Sequence, residues 1–227
     1  MRRLVKLSRV LTSLLAAWVA TISGVAFASD RAPPVKPPQA WDLNQLLQAF
    51  ARSPGLSARF TESKHMALLA APLESAGIIY YATPGVLARH LERPEKSVLV
   101  VDKDQVRIWD GARWEVVDLG SKPVVRMFVD SFVRILQGDL PALQKLYTVV
   151  FAPEAAAPNR WTLTLRPKVA PMNQFIDRLE LRGDRLVVSE LRIIENGGDE
   201  TRTLFFDVQP ARSFSAADRA RFFPAPK

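Results

Sequence analysis

The sequence predicts a mainly β chain with some α: a curved, incomplete antiparallel β-barrel of about eleven strands, closed by helices. Three observations predict it. Short runs of alternating apolar and polar residues fill two stretches, 57–117 and 147–208, with turn residues between the runs. Between these stretches lies Lys122–Gln137, a segment of helical period and unusual apolarity. Strands this numerous rarely stay flat, so the sheet bends and the helices plug its hollow. A β-sandwich carrying an inserted helix is the competing architecture.

The chain opens with Met1, Arg2, Arg3, Lys6 and Arg9, then the almost wholly apolar Val10–Phe27, then Ala26-Phe27-Ala28. A basic start, an apolar middle and small residues at −3 and −1 make residues 1–28 a cleaved signal peptide, so the mature chain starts at Ser29 in the periplasm. Thr12, Ser13, Thr21, Ser23 and Gly24 interrupt the apolar run, which suits a cleaved signal better than a permanent span. The chain holds no cysteine, which leaves no thiol for N-terminal acylation and no disulfide for stability. A soluble, core-stabilised protein is expected. Residues 29–40 carry Pro33, Pro34, Pro37 and Pro38 and read as an extended leader. The remainder, 41–227, has the length of a single domain.

Asp42 caps a first helix in which Leu43, Leu46, Leu47 and Phe50 recur at helical spacing, and Pro54-Gly55 ends it. The period then changes to two, with strands at Ser57–Leu69, Glu74–Thr83, Val86–Glu92, Ser97–Asp102, Gln105–Trp109 and Arg113–Val117. Their breaks at Ala71-Pro72, Pro84-Gly85, Arg93-Pro94, Lys103-Asp104 and Asp110-Gly111 are turn chemistry, so this stretch is an antiparallel meander. In the central helix Arg126, Asp130 and Arg134 form one narrow polar stripe, and apolar residues cover most of the rest. Such a helix must be covered on more than one side. A short helical turn over Leu140–Leu146 leads into strands at Tyr147–Phe151, Arg160–Arg166, Gln174–Arg182, Arg185–Glu195 and Thr201–Val208. Gly183-Asp184 and Asn196-Gly197-Gly198 are hairpin signals. Trp161, Leu163 and Leu165 alternate cleanly, so one side of the sheet is dry.

Composition narrows the function classes. Four of the 31 basic residues and none of the 23 acidic ones fall in the first 28, which leaves a net charge of +4 on the rest. That charge is interspersed, with no Lys/Arg block and no nucleic-acid module, so nucleic acid is not the expected partner. His65 and His90 are the only histidines, too few for a His-rich metal site, and both read as surface or edge residues. Ser75, Ser97 and Ser131 lack the glycine pattern of a nucleophile elbow. The acidic pairs Asp102/Asp104 and Asp199/Glu200 fall in turns. No Gly-rich phosphate loop occurs. The reading is a protein that is not an enzyme and needs no cofactor or metal.

What remains is an excess of apolar surface. Sheltering a sixteen-carbon acyl chain from water is worth on the order of 12 kcal/mol, at about 0.8 kcal/mol per methylene. A half-open barrel with an apolar helical lid can supply that shelter. Phe60, Ile79, Tyr81, Trp109, Met127, Phe128, Phe132, Ile135 and Trp161 are the candidate lipid-binding residues. Periodicity equally allows these side chains to complete a solid protein core, and it leaves a filled-core interaction module open as the alternative.

Gly55-Leu-Ser-Ala-Arg-Phe-Thr-Glu-Ser-Lys64, followed by Pro72-Leu-Glu-Ser-Ala-Gly77 and Tyr80-Tyr81, resembles the opening of LolA-type periplasmic lipoprotein carriers, whose first strand holds a Phe-Thr-Gln-like core. Pro84 and Pro94, ten apart, lead into Ser97-Val-Leu-Val-Val-Asp102 and Val106-Arg-Ile-Trp109 in a similar order. Phe214–Pro226 is similar to the family's Phe/Pro-rich closing segment. The resemblance spans Trp41–Pro226 and implies a LolA/LolB-like half-barrel that takes lipoprotein acyl chains from an inner-membrane exporter and hands them to an outer-membrane acceptor. It needs no oligomer. The family's Arg before the first proline, which bonds the lid, is replaced by Thr83; its Trp between the prolines is His90; its Asp-Gly turn is Asp102-Lys103. A short neutral threonine cannot make bidentate contacts, so the lid latch is missing or relocated. A divergent carrier of this kind could take a glycolipid or polyene lipid in place of a lipoprotein.

Overall fold

The computed structural model describes residues 41–226; the signal peptide and proline-rich leader expected over residues 1–40 lie outside the described residues. Asp42 opens helix α1 (Leu43–Ala51) through a reciprocal cap: its carboxylate accepts from the Gln45 N–H at 2.8 Å, and Gln45 Oε1 accepts from the Asp42 N–H at 3.1 Å. The first meander follows as β1 (Gly55–His65), β2 (Leu73–Ala82), β3 (Val86–Arg93), β4 (Ser97–Asp102), β5 (Gln105–Trp109) and β6 (Trp114–Asp118). A 3-10 turn, Leu119–Ser121, leads to α2 (Pro123–Gln137) and α3 (Leu140–Leu146). The second meander comprises β7 (Tyr147–Glu154), β8 (Ala157–Pro167), the short helix α4 (Met172–Phe175), β9 (Ile176–Asp184), β10 (Val187–Glu195) and β11 (Glu200–Gln209). Helix α5 (Ala216–Phe222) closes the described chain.

All eleven strands form one sheet in the order β6-β5-β4-β3-β2-β1-β11-β10-β9-β8-β7. β1 pairs antiparallel with both β2 and β11, so the first and last strands meet at the centre and the two meanders fan out from it. β6 and β7 are the free edges, and α2 and α3 carry the chain from one to the other. The barrel is therefore left incomplete, as expected.

The inner face, defined by the side chains that meet α1 and α2, holds the main core. Leu46, Leu47 and Phe50 of α1, Ile135 of α2 and Leu143 of α3 pack on Leu163, Leu165, Leu179, Leu181 and Leu191. A second inner cluster joins Val101, Val106 and Leu119. On the outer face Tyr80, Ala88 and Val100 are covered by Phe214, Phe222 and Phe223 from the α5 segment. Further along, outer positions carry cross-strand ion pairs such as Arg192–Glu200 at 2.8 Å and Arg202–Glu190 at 2.6 Å, which is the solvated side of the dry-face pattern.

Several boundaries differ from expectation. The strand expected to run to Leu69 ends at His65, because the uncharged run after it finds no pairing partner and turns. The strand expected from Gln174 starts in α4, where Met172 is buried as a core anchor. Gly183 lies within β9, not in the turn, and the reversal uses Arg185 in the left-handed region at φ 50°. The glycine is required by packing: a Cβ there would lie 2.5 Å from the Trp161 indole. Helix α5 was not foreseen; a Ser215–Asp218 capping box starts it.

Candidate functional site

Helix α2 begins with Pro123 and ends at Gly138, whose φ of 74° lets its N–H reach the Arg134 and Ile135 carbonyls. Gly138 also allows α1 to come close, since a Cβ there would lie 2.7 Å from the Leu47 carbonyl. Only one arc of α2 is fully buried. Ser131 and Ile135 face the packed core, and the Ser131 hydroxyl meets the Tyr147 hydroxyl at 2.5 Å. The neighbouring arc is just as apolar but only half-buried at Phe128, Val129, Phe132 and Leu136, and Val125 is exposed. The Phe128 and Phe132 rings sit edge to face at 5.0 Å, and Val129, like Leu87, Leu99 and Ile108 of the sheet, packs on the Val101–Val106–Leu119 cluster. The polar stripe ties the helix down: Arg126 Nη1 is 2.7 Å from Asp104 Oδ1 in the β4–β5 turn, and the Gln137 amide donates to the Pro84 carbonyl in the β2–β3 turn.

Strand register defines what lies on the sheet beneath it. One inner row runs Ala58, Ile79, Arg89, Leu99, Ile108, and the next runs Leu56, Tyr81, Leu87, Val101, Val106. Ile79, Leu99 and Ile108 are half-buried, in contrast to the sealed Leu163 and Leu165 of β8. Among these apolar residues stands a polar network. Arg89 Nη2 donates to Glu62 Oε1 at 2.8 Å and to Ser75 Oγ at 3.3 Å, while Glu62 Oε2 accepts from Thr203 Oγ1 at 2.8 Å. The Arg89 guanidinium also lies 4.7 Å above the Phe60 ring, which it shields from water. The buried Tyr81 hydroxyl has no hydrogen-bond partner among the described residues, and burial raises its pKa.

The nine expected lining residues separate into three groups. Ile79, Met127, Phe128 and Phe132 are half-buried on the inner face or α2, with Phe60 and Tyr81 buried in the same strand rows. Ile135 and Trp161 belong to the packed core; Trp161 stacks on Phe151 and donates to the Arg185 carbonyl at 2.8 Å. Trp109 is a correction. It pairs with Val98 on the outer face, because strand alternation makes Ile108, not its larger neighbour, the inward residue. Glu62, Arg89, Leu99 and Val129 were missed. For Glu62 the signal was present, since it lies two residues from Phe60 on one strand and must share its face.

The other singled-out positions serve the frame. Thr83 donates from Oγ1 to the Pro54 carbonyl at 3.1 Å, and its own carbonyl accepts from Arg219 of α5 at 3.3 Å. The contact of α2 with this turn is made by Gln137, which donates to the Pro84 carbonyl. His90 is an outer residue: its Nε2 lies 2.8 Å from the Phe222 carbonyl, its ring sits edge-on to Tyr80, and burial pushes its pKa down. His65 is exposed, and the Glu200 carboxylate opposite it is taken by two Arg192 donors at 2.8 and 3.0 Å. Among the described residues no group of three His, Asp or Glu side chains is placed to hold a metal ion, and no helix is long and apolar enough to cross a membrane.

Residues 35–221 match the family model described as outer membrane lipoprotein carrier protein, LolA-like. The outer-membrane lipoprotein carrier protein of Pseudomonas fluorescens is 22% identical over 176 residues, covering 78% of this chain and 81% of that protein. The protein of the same name from Azotobacter vinelandii is 24% identical over 201 residues, covering 88% and 90%. Among solved structures, a LolA superfamily protein from Nitrosomonas europaea aligns with a TM-score of 0.41 at 6% identity, over 82% of this chain and 99% of that one.

Proposed function

Because the chain belongs to the LolA-like family of outer membrane lipoprotein carrier proteins, we propose that it is a periplasmic carrier that shelters acyl chains between α2 and the β1–β5 part of the inner face. The observation that carries this reading is the half-buried apolar arc of α2, which spans two clusters: Phe128, Phe132 and Leu136 pack beside the main core and Val129 on the Val101–Val106–Leu119 cluster, where Leu99 and Ile108 are half-buried too. A folded domain gains nothing by leaving adjoining apolar surfaces incompletely covered, and a hydrocarbon tail completes their burial. The name shared by the curated relatives supports a lipoprotein as cargo. The replacement of the family's lid-bonding Arg by Thr83 supports a cargo or release step of its own, with a lipid or glycolipid as the other candidate.

α2 is suited to the work of a lid. Ser131 and Ile135 anchor one side of it in the core, while Asp104 and Pro84 hold the rest from two turns through exposed contacts, each worth less than about 1 kcal/mol, so its half-buried arc can give way while the anchored side stays in place. Native mass spectrometry of the purified protein, together with displacement of a fluorescent fatty acid, tests the reading. A co-purifying lipid and saturable displacement are expected, with displacement lost in Phe128→Asp, which puts an unpaired charge between the two surfaces. A wild-type protein that carries and displaces nothing overturns the proposal.

A further inference from the structure

The inner face of β1–β3 carries polar groups that the sheltering of a hydrocarbon tail does not call for. Both oxygens of Glu62 are engaged: Oε1 accepts from Arg89 Nη2 at 2.8 Å and from Ser75 Oγ at 3.3 Å, and Oε2 accepts from Thr203 Oγ1 at 2.8 Å. Arg89 keeps donors in reserve. Its bonds to Glu62 and Ser75 both leave from Nη2, whereas a guanidinium carries five N–H groups, and 34% of the side chain stays accessible. Arg89 pairs with Ile79 across β2 and β3, and Tyr81 stands two residues beyond Ile79 on the same face. The two side chains are therefore diagonal neighbours, with backbone positions about 7–8 Å apart. Tyr81 is 2% exposed, and its hydroxyl has no hydrogen-bond partner among the described residues. A buried hydroxyl left unpaired weakens the fold, and native proteins retain few of them. Burial raises the Tyr81 pKa, so the hydroxyl keeps its proton and stays a donor.

The chemistry of these groups selects what they hold. An arginine donates and never accepts, and a protonated tyrosine hydroxyl donates alongside it, so the atom they share must be an acceptor. The Glu62 carboxylate already neutralises Arg89 and repels a second anion, which disfavours a free carboxylate or a phosphate at this point. A neutral carbonyl oxygen meets both conditions. The surroundings supply a place for the chain attached to it. The Phe60 ring lies 4.7 Å from the Arg89 guanidinium, and the Tyr81 row continues through Leu87 to Val101 and Val106, the cluster on which Val129 of α2 packs. Tyr81 is also the closer of the two in sequence to Pro84, whose carbonyl accepts from Gln137 of α2. A tail lying along this row beneath the yielding arc of α2 brings its polar head to Tyr81 and Arg89.

We propose that Tyr81 and Arg89 form a polar subsite for the carbonyl of an uncharged acyl ester, so that cargo is recognised at its head as well as along its tail. This rests on the carrier reading; a fatty acid binds through its tail alone. Displacement of a fluorescent fatty acid from the purified protein tests it, with monododecanoyl glycerol, dodecyl glycerol ether, which lacks only the carbonyl, and dodecanoic acid as competitors. The ester is expected to displace the probe about five-fold more effectively than the ether or the acid. Tyr81→Phe should remove most of that preference, leave displacement by the ether unchanged, and keep the thermal midpoint at or above the wild-type value, because the deleted hydroxyl bonds nothing in the empty protein. Arg89→Lys, which keeps a charge beside Glu62 but not the spare donors of the fork, should reduce the preference as well. A diacylglyceryl-cysteine lipopeptide and an acylated sugar distinguish the sources of the ester: the one whose displacement weakens in Tyr81→Phe uses the subsite. Equal displacement by ester and ether in the wild type, or an ester preference that survives in both variants, overturns the proposal. Failure of the carrier reading shows separately, as a wild type that binds no fluorescent fatty acid.

Discussion

The inner face of one sheet is finished in two ways. Across β7–β10, Leu163, Leu165 and Leu179 are wholly sealed by α1, α3 and Ile135. Across β2–β5, Ile79, Leu99 and Ile108 stay half-buried, with Arg89 and Glu62 set on the same face. The difference lies in the number of covering elements. α1, α3 and most of the apolar arc of α2 cover the first half, whereas Val129 of α2 and Leu119 of the 3-10 turn cover the second. The Arg89–Glu62 pair lies in the less covered half, where both side chains stay partly exposed and escape the full cost of desolvating a charge.

Truncation should separate the halves most sharply. Leu165→Ala is expected to cost about 3 kcal/mol in urea denaturation, because no neighbour can move into the void. Leu99→Ala should cost about 1 kcal/mol, less than Leu165→Ala, since part of its surface is already solvated, yet weaken displacement of a fluorescent fatty acid several-fold. Equal stability losses at the two positions would erase the distinction. Next in size, Tyr147→Phe removes the buried hydroxyl contact with Ser131, which keeps its bond to the Met127 carbonyl; a loss of about 1 kcal/mol is expected, with lipid binding intact. Arg126→Ala frees one tether of α2 and should cost under about 0.5 kcal/mol, since both partners are solvated. Its signature is faster amide exchange in α2 with no change in α1, read by mass spectrometry.

The smallest effect lies on the outer face and depends on pH. Burial holds His90 below its ordinary value near 6.5, so the unfolded chain binds the proton more readily. The stability from its neutral ring is complete above pH 6.5 and declines as the pH falls toward the depressed value. In thermal melts from pH 7 to 5, His90→Gln, which keeps an N–H for the Phe222 carbonyl, should show a flatter decline than wild type. Parallel slopes would show that His90 does not contribute to the acid-side loss of stability.

Much of the frame was legible beforehand. Asp42 as a cap, the alternation of Trp161, Leu163 and Leu165, and the span of the central helix follow from local rules, and the structure keeps all three. Trp109 lies on the outer face because strand alternation gives the inward positions to Val106 and Ile108. Helix α5 escaped because its value lies in covering Tyr80, some 140 residues away in the chain. Gly183 looked like a turn signal, and only the approach of the Trp161 ring explains it.

By itself the sequence determined the elements and their faces, since the periods of 2 and 3.6 are properties of a short stretch of backbone. It also carried the family, through residues 35–221. Tertiary structure alone decided which apolar faces are sealed and which are left half open, that Arg89 meets Glu62, and that the β1–β2, β8–β9 and β10–β11 connections are hydrogen-bonded to one another. Those outcomes depend on how many elements arrive at one place, and the amount of cover at a point in space is written in no local pattern.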